Sequence, residues 1–419
     1  MSSHLRVLRH RNFRYLFLSQ AASVVGDRLV VVALALFITE RTRSPTDLSL
    51  VLGAATVPLV ALLLFGGVWA DRLPRQRIML VTDVLRAVLH GTLAALILTG
   101  ELRLWELIAI EALFGAAEAF FQPAYTGLLP QTVPVEQIQD ARALTGATSN
   151  LAFLLGPAVA TALVLTAGAG AAFACDAATF VISAALLLQV RVAPAAAAVT
   201  QASSSVLVEL REGWREVRSR SWLWVTVAVF AGALLCVFSQ WYALAPSVTR
   251  SVYGHATVFG LFEGLAGAGA VIGSIVGISW RPEHPLRVGI LLVLTWPAQN
   301  ALLALGAPIP AVGATALMTG FGFSLFGVWW ETALARHIPA HLLSRVSAWD
   351  WMGSLALLPV GYFIAAPLAG AFGARGVLGV GGAIGVALLL VALAPRATRT
   401  LAIAPRQRRG EREMAEASA

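Results

Sequence analysis

Gly66-Gly67-Val68-Trp69-Ala70-Asp71-Arg72-Leu73-Pro74-Arg75-Gln76-Arg77 interrupts two apolar runs of membrane length. The first run ends in a glycine pair and an aspartate. Three arginines follow within six residues, and the second run begins at Ile78. Backbone polar groups inside a bilayer must be satisfied within their own segment, so runs of this length read as spanning helices and the basic stretch as the hairpin between them. Its arginines assign the turn to the cytoplasmic side.

The whole chain carries the same signature. Of 419 residues, 58% are hydrophobic and 12% charged, with a mean hydropathy of +0.78; soluble domains are about a quarter charged. The reading is an all-α integral membrane protein, since a β-barrel would show short alternating segments. The net charge of +8 rests on arginine, because the sequence contains no lysine. That excludes a phosphate-binding loop, which needs one. Cys175 and Cys236 both sit in apolar runs and read as small core residues. No HExxH, GxSxG or His/Cys cluster marks an enzyme. The first apolar run, Tyr15 to Thr39, is too long for the core of a cleavable signal peptide.

Twelve spans are expected, at 13–39, 47–70, 78–100, 103–125, 139–166, 169–190, 222–249, 256–279, 286–306, 309–332, 343–369 and 374–394. With the N-terminus inside, 23 arginines fall in or beside inner segments and 5 outside; Arg28 and Arg86 are embedded. That asymmetry places both termini in the cytoplasm and bears no mark of a nucleic-acid surface. Residues 1–190 and 222–395 form two six-helix units. Between them, 191–221 is a cytoplasmic linker whose second part suits an amphipathic helix on the inner leaflet, with Leu207, Leu210, Trp214 and Val217 on one face. Residues 396–419 read as a disordered cytoplasmic tail. At an offset of 205, Leu129, Val133-Pro134, Ile138 and Ala143 meet Leu334, Ile338-Pro339, Leu343 and Ala348, while Gly115, Ser149 and Gly156 meet Gly320, Ser354 and Gly361. A duplicated six-helix unit is a transporter architecture, with the substrate path between the halves.

Several motifs resemble one family. Gly67 to Arg77 is similar to the loop signature between the second and third helices of major facilitator superfamily transporters. Asp83 and Arg86 follow at the spacing of the enterobactin-exporter and macrolide-efflux branch. Arg11-Asn12-Phe13-Arg14, Pro123-Ala124 with Leu129-Pro130, and Phe173 with Asp176-Ala177-Ala178-Thr179-Phe180 resemble further segments of that branch. The resemblance covers nearly the full length. It implies rocking-type alternating access, with a cytoplasmic ion-pair gate built from Gly67, Asp71, Arg72, Arg75, Arg77, Asp83 and Arg86. The alternatives are that the turn arginines only anchor topology and that Asp83 and Arg86 form a static pair. Gly156-Pro157 resembles the core of an antiporter signature whose flanking glycines are here Ala152, Ala160 and Thr161. It implies export by antiport through a bent fifth helix; an ordinary kinked helix is the alternative.

Embedded ionisable residues are the candidates for proton coupling and the substrate cavity: Asp27, Arg28, Glu111, Glu118 and Glu263. Each needs a partner or an aqueous cavity. Desolvation disfavours the charged form of a carboxylate, as a group that binds and releases protons requires. Adjacent Asp27 and Arg28 point about 100° apart and cannot simply pair. Asp176, Glu331 and Asp350 lie nearer helix ends and suit fixed ion pairs. Trp241, Tyr242, Gln299 and Asn300 are the candidate cavity wall, aromatic surface and amides being suited to an amphipathic ligand. The expected protein is a monomeric transporter of the bacterial cytoplasmic membrane. It exports amphipathic small molecules in exchange for protons and uses no cofactor beyond the proton gradient. The alternative is a dedicated exporter of one endogenous metabolite, such as a siderophore or a product of secondary metabolism.

Overall fold

The computed structural model describes residues 3–134, 137–191, 206–339 and 342–401, and among these it is helical with no strand. The first six long helices are α1 (Arg11–Thr42), α2 (Pro45–Arg72), α3 (Arg75–Thr99), α4 (Leu104–Leu128), α5 (Ile138–Ala167) and α6 (Ala169–Leu187). A short α7 (Val206–Ser219) leads into α8 (Ser221–Ala233), which continues through a π-turn, Leu234–Phe238, into α9 (Ser239–Tyr253). Then come α10 (Thr257–Ser279), α11 (Pro285–Val293), α12 (Thr295–Leu305), α13 (Ile309–His337), α14 (Leu343–Leu355), α15 (Leu358–Phe372), α16 (Ala374–Ala392) and α17 (Arg396–Thr400). Among the described residues, ten helical stretches are long and apolar enough to cross a membrane. The expected spans 103–125 and 139–166 form α4 and α5, of 25 and 30 residues. α4 carries Glu111 and Glu118 mid-helix, and the sequence of α5 is free of charged residues from Leu144 to Ala167.

Three expected spans are interrupted, two of them by proline. Pro297 lacks the N–H that Val293 needs, and the helix breaks into α11 and α12 there. Pro359 does the same to Leu355 between α14 and α15. At the π-turn, side chains take up the loosened carbonyls: Asn300 Nδ2 donates to Val237 O at 3.0 Å and Gln240 Nε2 to Leu235 O at 3.2 Å.

The duplication is visible in the packing. In the first half, Gly115 of α4 lies on the Ala55 carbonyl of α2, and Gly66 of α2 lies on the Ala119 carbonyl of α4. In the second half, Gly320 of α13 lies on the Ala266 carbonyl of α10, and Gly269 of α10 on the Leu317 carbonyl of α13. A methyl group at any of the four would overlap the facing backbone. Pro123 removes the usual donor to the Ala119 carbonyl, so Gly66 packs where a backbone oxygen has been freed.

At the face bearing the α1–α2 turn the halves are sealed together. Val30, Leu34, Ile38, Leu48 and Val51 share one core with Trp241, Leu244, Val248, Leu358 and Tyr362. Arg250 Nη1 of α9 meets Glu40 Oε2 of α1 at 2.8 Å across that seam. At the face bearing the Arg72–Arg77 turn, each half has its own core instead. One contains Phe13, Leu16, Met79 and Leu128; the other contains Trp222, Leu223, Trp330 and Val346. Among the described residues the halves therefore share a core at one face and have separate cores at the basic one.

The amphipathic segment also packs on protein: Trp214 of α7 lies on Trp349 of α14 with ring centroids 5.0 Å apart, and Val217 is buried. One expectation is corrected: the tail begins as α17, with Thr398 buried. The Ala/Ser-rich stretch 194–205 and the tail beyond 401 lie outside the described residues.

Candidate functional site

Three helices of the first half bring polar stripes to one place. On α3 the stripe is Asp83, Arg86 and His90; on α4 it is Glu111, Phe114, Glu118 and Phe121; on α6 it is Phe173, Asp176, Phe180 and Ser183. Steps of three and four residues keep each set on one helix face. Where the faces meet, Arg86, Asp83, His90 and Asp176 are fully buried and Glu111 nearly so.

Arg86 is the hub. Its Nη2 lies 2.5 Å from Glu118 Oε2, and its Nη1 3.9 Å from Asp83 Oδ1. The guanidinium sits over the Phe121 ring at 4.3 Å and near those of Phe180 and Phe114 at 5.4 and 5.5 Å. One turn along α3, His90 Nδ1 makes a short contact with Asp176 Oδ2. Its Nε2 stands 3.8 Å from Glu111 Oε1. The imidazole stacks on Phe114 at 4.1 Å, with an interplanar angle of 3°. Ser183 donates to Asp83 Oδ2 at 2.5 Å and lies 2.7 Å from Ser19 Oγ of α1. Gly26 of α1 has no side chain because Asp176 and Thr179 occupy that space. Asp27, the next residue, lies within the fields of Glu118, Asp176 and Arg86.

Four carboxylates thus share one guanidinium and one imidazole. If all four were ionised, three negative charges would be uncompensated, or two with His90 protonated. Several atoms here have no hydrogen-bond partner: Asp83 Oδ1, His90 Nε2, Glu111 Oε1 and Asp176 Oδ1. The cluster reaches its edge at Glu118, whose side chain keeps 21% exposure and accepts from the exposed Gln122 at 2.8 Å.

The second half holds a smaller site. Glu263 of α10 is buried and accepts from Trp241 Nε1 and Tyr242 OH of α9, each at 2.7 Å. Asp350 accepts from Trp330 Nε1 at 2.8 Å.

The structure redistributes several expected roles. Asp83 and Arg86 are not at the gate; they lie more than two turns into α3, in the buried cluster, because their helix face is turned to α4 and α6. Their pairing is also secondary, since Arg86 is closer to Glu118 than to Asp83. Arg75 anchors the hairpin, its Nε donating to Ala70 O at 3.2 Å and its Nη1 to Gly127 O at 2.7 Å. Arg72 and Arg77 are exposed. Gly67 and Asp71 fall within α2, but their surroundings lie outside what is described. Gln299 and Asn300 are buried inside the second half, Asn300 serving the π-turn. Trp241 and Tyr242 hold Glu263. Gly156 and Pro157 are buried in α5, which stays one continuous helix; Gly156 makes room for the base of Arg28. Asp176 is not an end-of-helix ion pair but a central member of the cluster. His90 was not anticipated at all. The available signal was its position seven residues after Asp83 and four after Arg86, on the face they share.

Residues 2–283 match the family of transmembrane secretion effectors. The chain belongs to that family, within the major facilitator superfamily. It is 25% identical over 325 residues to macrolide efflux protein A of Streptococcus pyogenes, covering 75% of each chain. To the multidrug efflux pump Tap of Mycolicibacterium fortuitum it is 25% identical over 370 residues, 83% of this chain and 87% of that one. To the enterobactin exporter EntS of Escherichia coli it is 27% identical over 348 residues, 81% and 80%. Among solved structures it resembles nucleoside transporter NupG (TM-score 0.67, 12% identity, 91% of this chain and 98% of that one). It also resembles a bacterial homolog of the human lysosomal transporter Spinster in its inward-facing, unoccupied conformation (TM-score 0.65, 15% identity, 96% and 98%). At such identities the structural likeness concerns the fold alone. The protein is a multi-pass membrane transporter of the major facilitator type, from a family of exporters rather than enzymes.

Proposed function

We propose that this transporter exports amphipathic small molecules across the bacterial cytoplasmic membrane in exchange for protons. Twelve spans would form two halves, 1–190 and 222–395, joined by the linker 191–221, with both termini and the basic face cytoplasmic. In that orientation the separate cores at the basic face fit an inward-open state, and the Asp71 turn closes the cytoplasmic side in the opposite state.

One observation carries the proton assignment: the carboxylate excess around Arg86. A charge near a helix centre costs roughly 2.5–3.5 kcal/mol on insertion scales, so three uncompensated charges are untenable and protons replace some of them. Glu118 at the edge is the entry. Protonating it releases Arg86 toward Asp83, 3.9 Å away, and changes how α3 is held to α4. One proton driven by about 100 mV supplies roughly 2.3 kcal/mol, which sustains a gradient of about fifty-fold. The efflux relatives support drug-like cargo. The enterobactin exporter keeps open the second reading, a single endogenous metabolite, for which the cationic Arg28 would suit an anionic cargo.

The test is reconstitution in vesicles with an internal pH dye. Adding a macrolide or a lipophilic dye should collapse an imposed pH gradient, and Asp176→Asn should abolish the collapse while the protein still inserts. Cargo movement that persists unchanged with a protonophore present would refute proton coupling.

A further inference from the structure

We infer that Glu263, with Trp241 and Tyr242 around it and Arg28 facing it from the other half, is a subsite that selects cargo by charge and takes the cationic end of an organic cation. The inference rests on the export reading but not on the proton assignment, because it concerns a different carboxylate on the opposite half.

Glu263 lies on the seam. The flanking residues Gly260 and Gly264 pack on Thr161 and Ala158 of α5, so the two halves meet there with almost no side chain between them. Two donors, one to each oxygen, hold the carboxylate in place and leave it lone pairs for a further donor. Aromatic rings line its surroundings. Tyr242 and Trp241 each lie 5.9 Å from Phe259, and Phe238 lies 4.6 Å from Tyr242. A carboxylate among ring faces attracts an organic ammonium twice, by charge and by the ring quadrupoles.

The cation whose field reaches both Glu263 and Tyr242 is Arg28, on α1 of the first half. The base of its side chain rests against Gly156 of α5, one helix turn or less from Ala158, and the side chain as a whole is exposed. Arg28 and Glu263 are therefore opposite charges within reach of each other's field across a seam that alternating access must open. When the halves part there, Glu263 loses its counter-charge while its own half keeps it buried, which is costly. A cargo cation seated on Glu263 removes that cost by taking the place of Arg28. An anion meets the carboxylate and is turned away. Arg28 thus serves as an internal stand-in for the cargo.

The test uses full-length protein in detergent and two probes of matched shape and opposite charge, tetraphenylphosphonium and tetraphenylborate. Wild type should bind the cation and bind the borate far more weakly. Glu263→Gln should weaken the cation by about tenfold or more, the scale of one lost charge-assisted contact, and should strengthen the borate. Arg28→Gln should tighten the cation several-fold by removing its competitor. Tyr242→Phe, which keeps the charge, should retain cation binding. Equal weakening of both probes by Glu263→Gln would reduce Glu263 to a packing role and overturn the inference, as would unchanged cation binding. If Glu263→Gln does not fold, Arg28→Gln decides alone: tightening supports the subsite and no change overturns it. An Asp176→Asn loss as large as that of Glu263→Gln would move the cation to the first-half cluster and sink the proposal. Wild type that ignores tetraphenylphosphonium also refutes it, while leaving proton-driven export of other cargo intact.

Discussion

Replacing Arg86 with methionine keeps most of the side-chain volume and removes the one fixed cation of the cluster. At an effective dielectric of about 20, Coulomb attraction is worth ~6–7 kcal/mol at the 2.5 Å Glu118 contact and ~4 kcal/mol at the 3.9 Å Asp83 contact. Desolvation of the ions offsets most of that gain, and breaking a buried pair from one side costs about 3–5 kcal/mol. The three aromatic faces around the guanidinium add roughly 1–2 kcal/mol. Arg86→Met should therefore lose about 3–5 kcal/mol of stability, read as an early melt by intrinsic fluorescence in detergent. The deficit should shrink as pH falls, because protons then neutralise the abandoned carboxylates in place of the guanidinium. Adding Glu118→Gln and Asp83→Asn to Arg86→Met should recover most of the stability, since the two carboxylates that Arg86 touches are then neutral as well. The triple variant should still fail to couple cargo to protons. A single variant that melts with wild type, or a triple variant that melts as low as the single, would show that Arg86 compensates nothing.

Three further outcomes follow from the packing and the hairpin. Arg75→Ala removes the ties to Ala70 and Gly127 and should cost about 1–3 kcal/mol in thermal stability; Arg75→Lys should not restore it, because one ammonium cannot reproduce the guanidinium fork. Gly115→Val and Gly320→Val should destabilise to similar extents, each by roughly 1–3 kcal/mol or more from overpacking, because each sets a side chain against the matching carbonyl of its own half. A large effect in one half alone would contradict the packing symmetry. Asp71→Asn should leave membrane insertion unchanged, measured by quantifying protein in isolated membranes, and should cripple transport; a loss of expression instead would make the hairpin an anchor only.

What the sequence made legible was whatever one helix decides alone. Apolar length located the helices to within a few residues, and the repeat offset aligned Gly115 with Gly320 before any packing was known. The faces of single helices were legible too: Glu111 and Glu118, seven residues apart, do lie on one side of α4. Which face of α4 turns to α3 is set by tertiary packing, and no spacing encodes it. Hence Asp83, three residues from Arg86, looked like its natural partner, while the nearer one, Glu118, belongs to another helix. His90 and Asp176, 86 residues apart, are joined only once α3 and α6 are placed. The Asp27-Arg28 pair carries this furthest. The 100° between neighbouring residues on a helix forbids a simple pairing between them, and in the fold that same angle divides their work. Asp27 lies within the fields of Glu118, Asp176 and Arg86 as well as that of Arg28, whereas the field of Arg28 also reaches Glu263 and Tyr242 across the seam. One turn of α1 thus touches both charged sites, and Gly26 beside it is packed against Asp176. A shift or rotation of α1 that follows a change of charge in the first-half cluster must move Arg28 relative to Glu263. The backbone of α1, rather than a chain of side chains, is the shortest mechanical link between the first-half cluster and the seam.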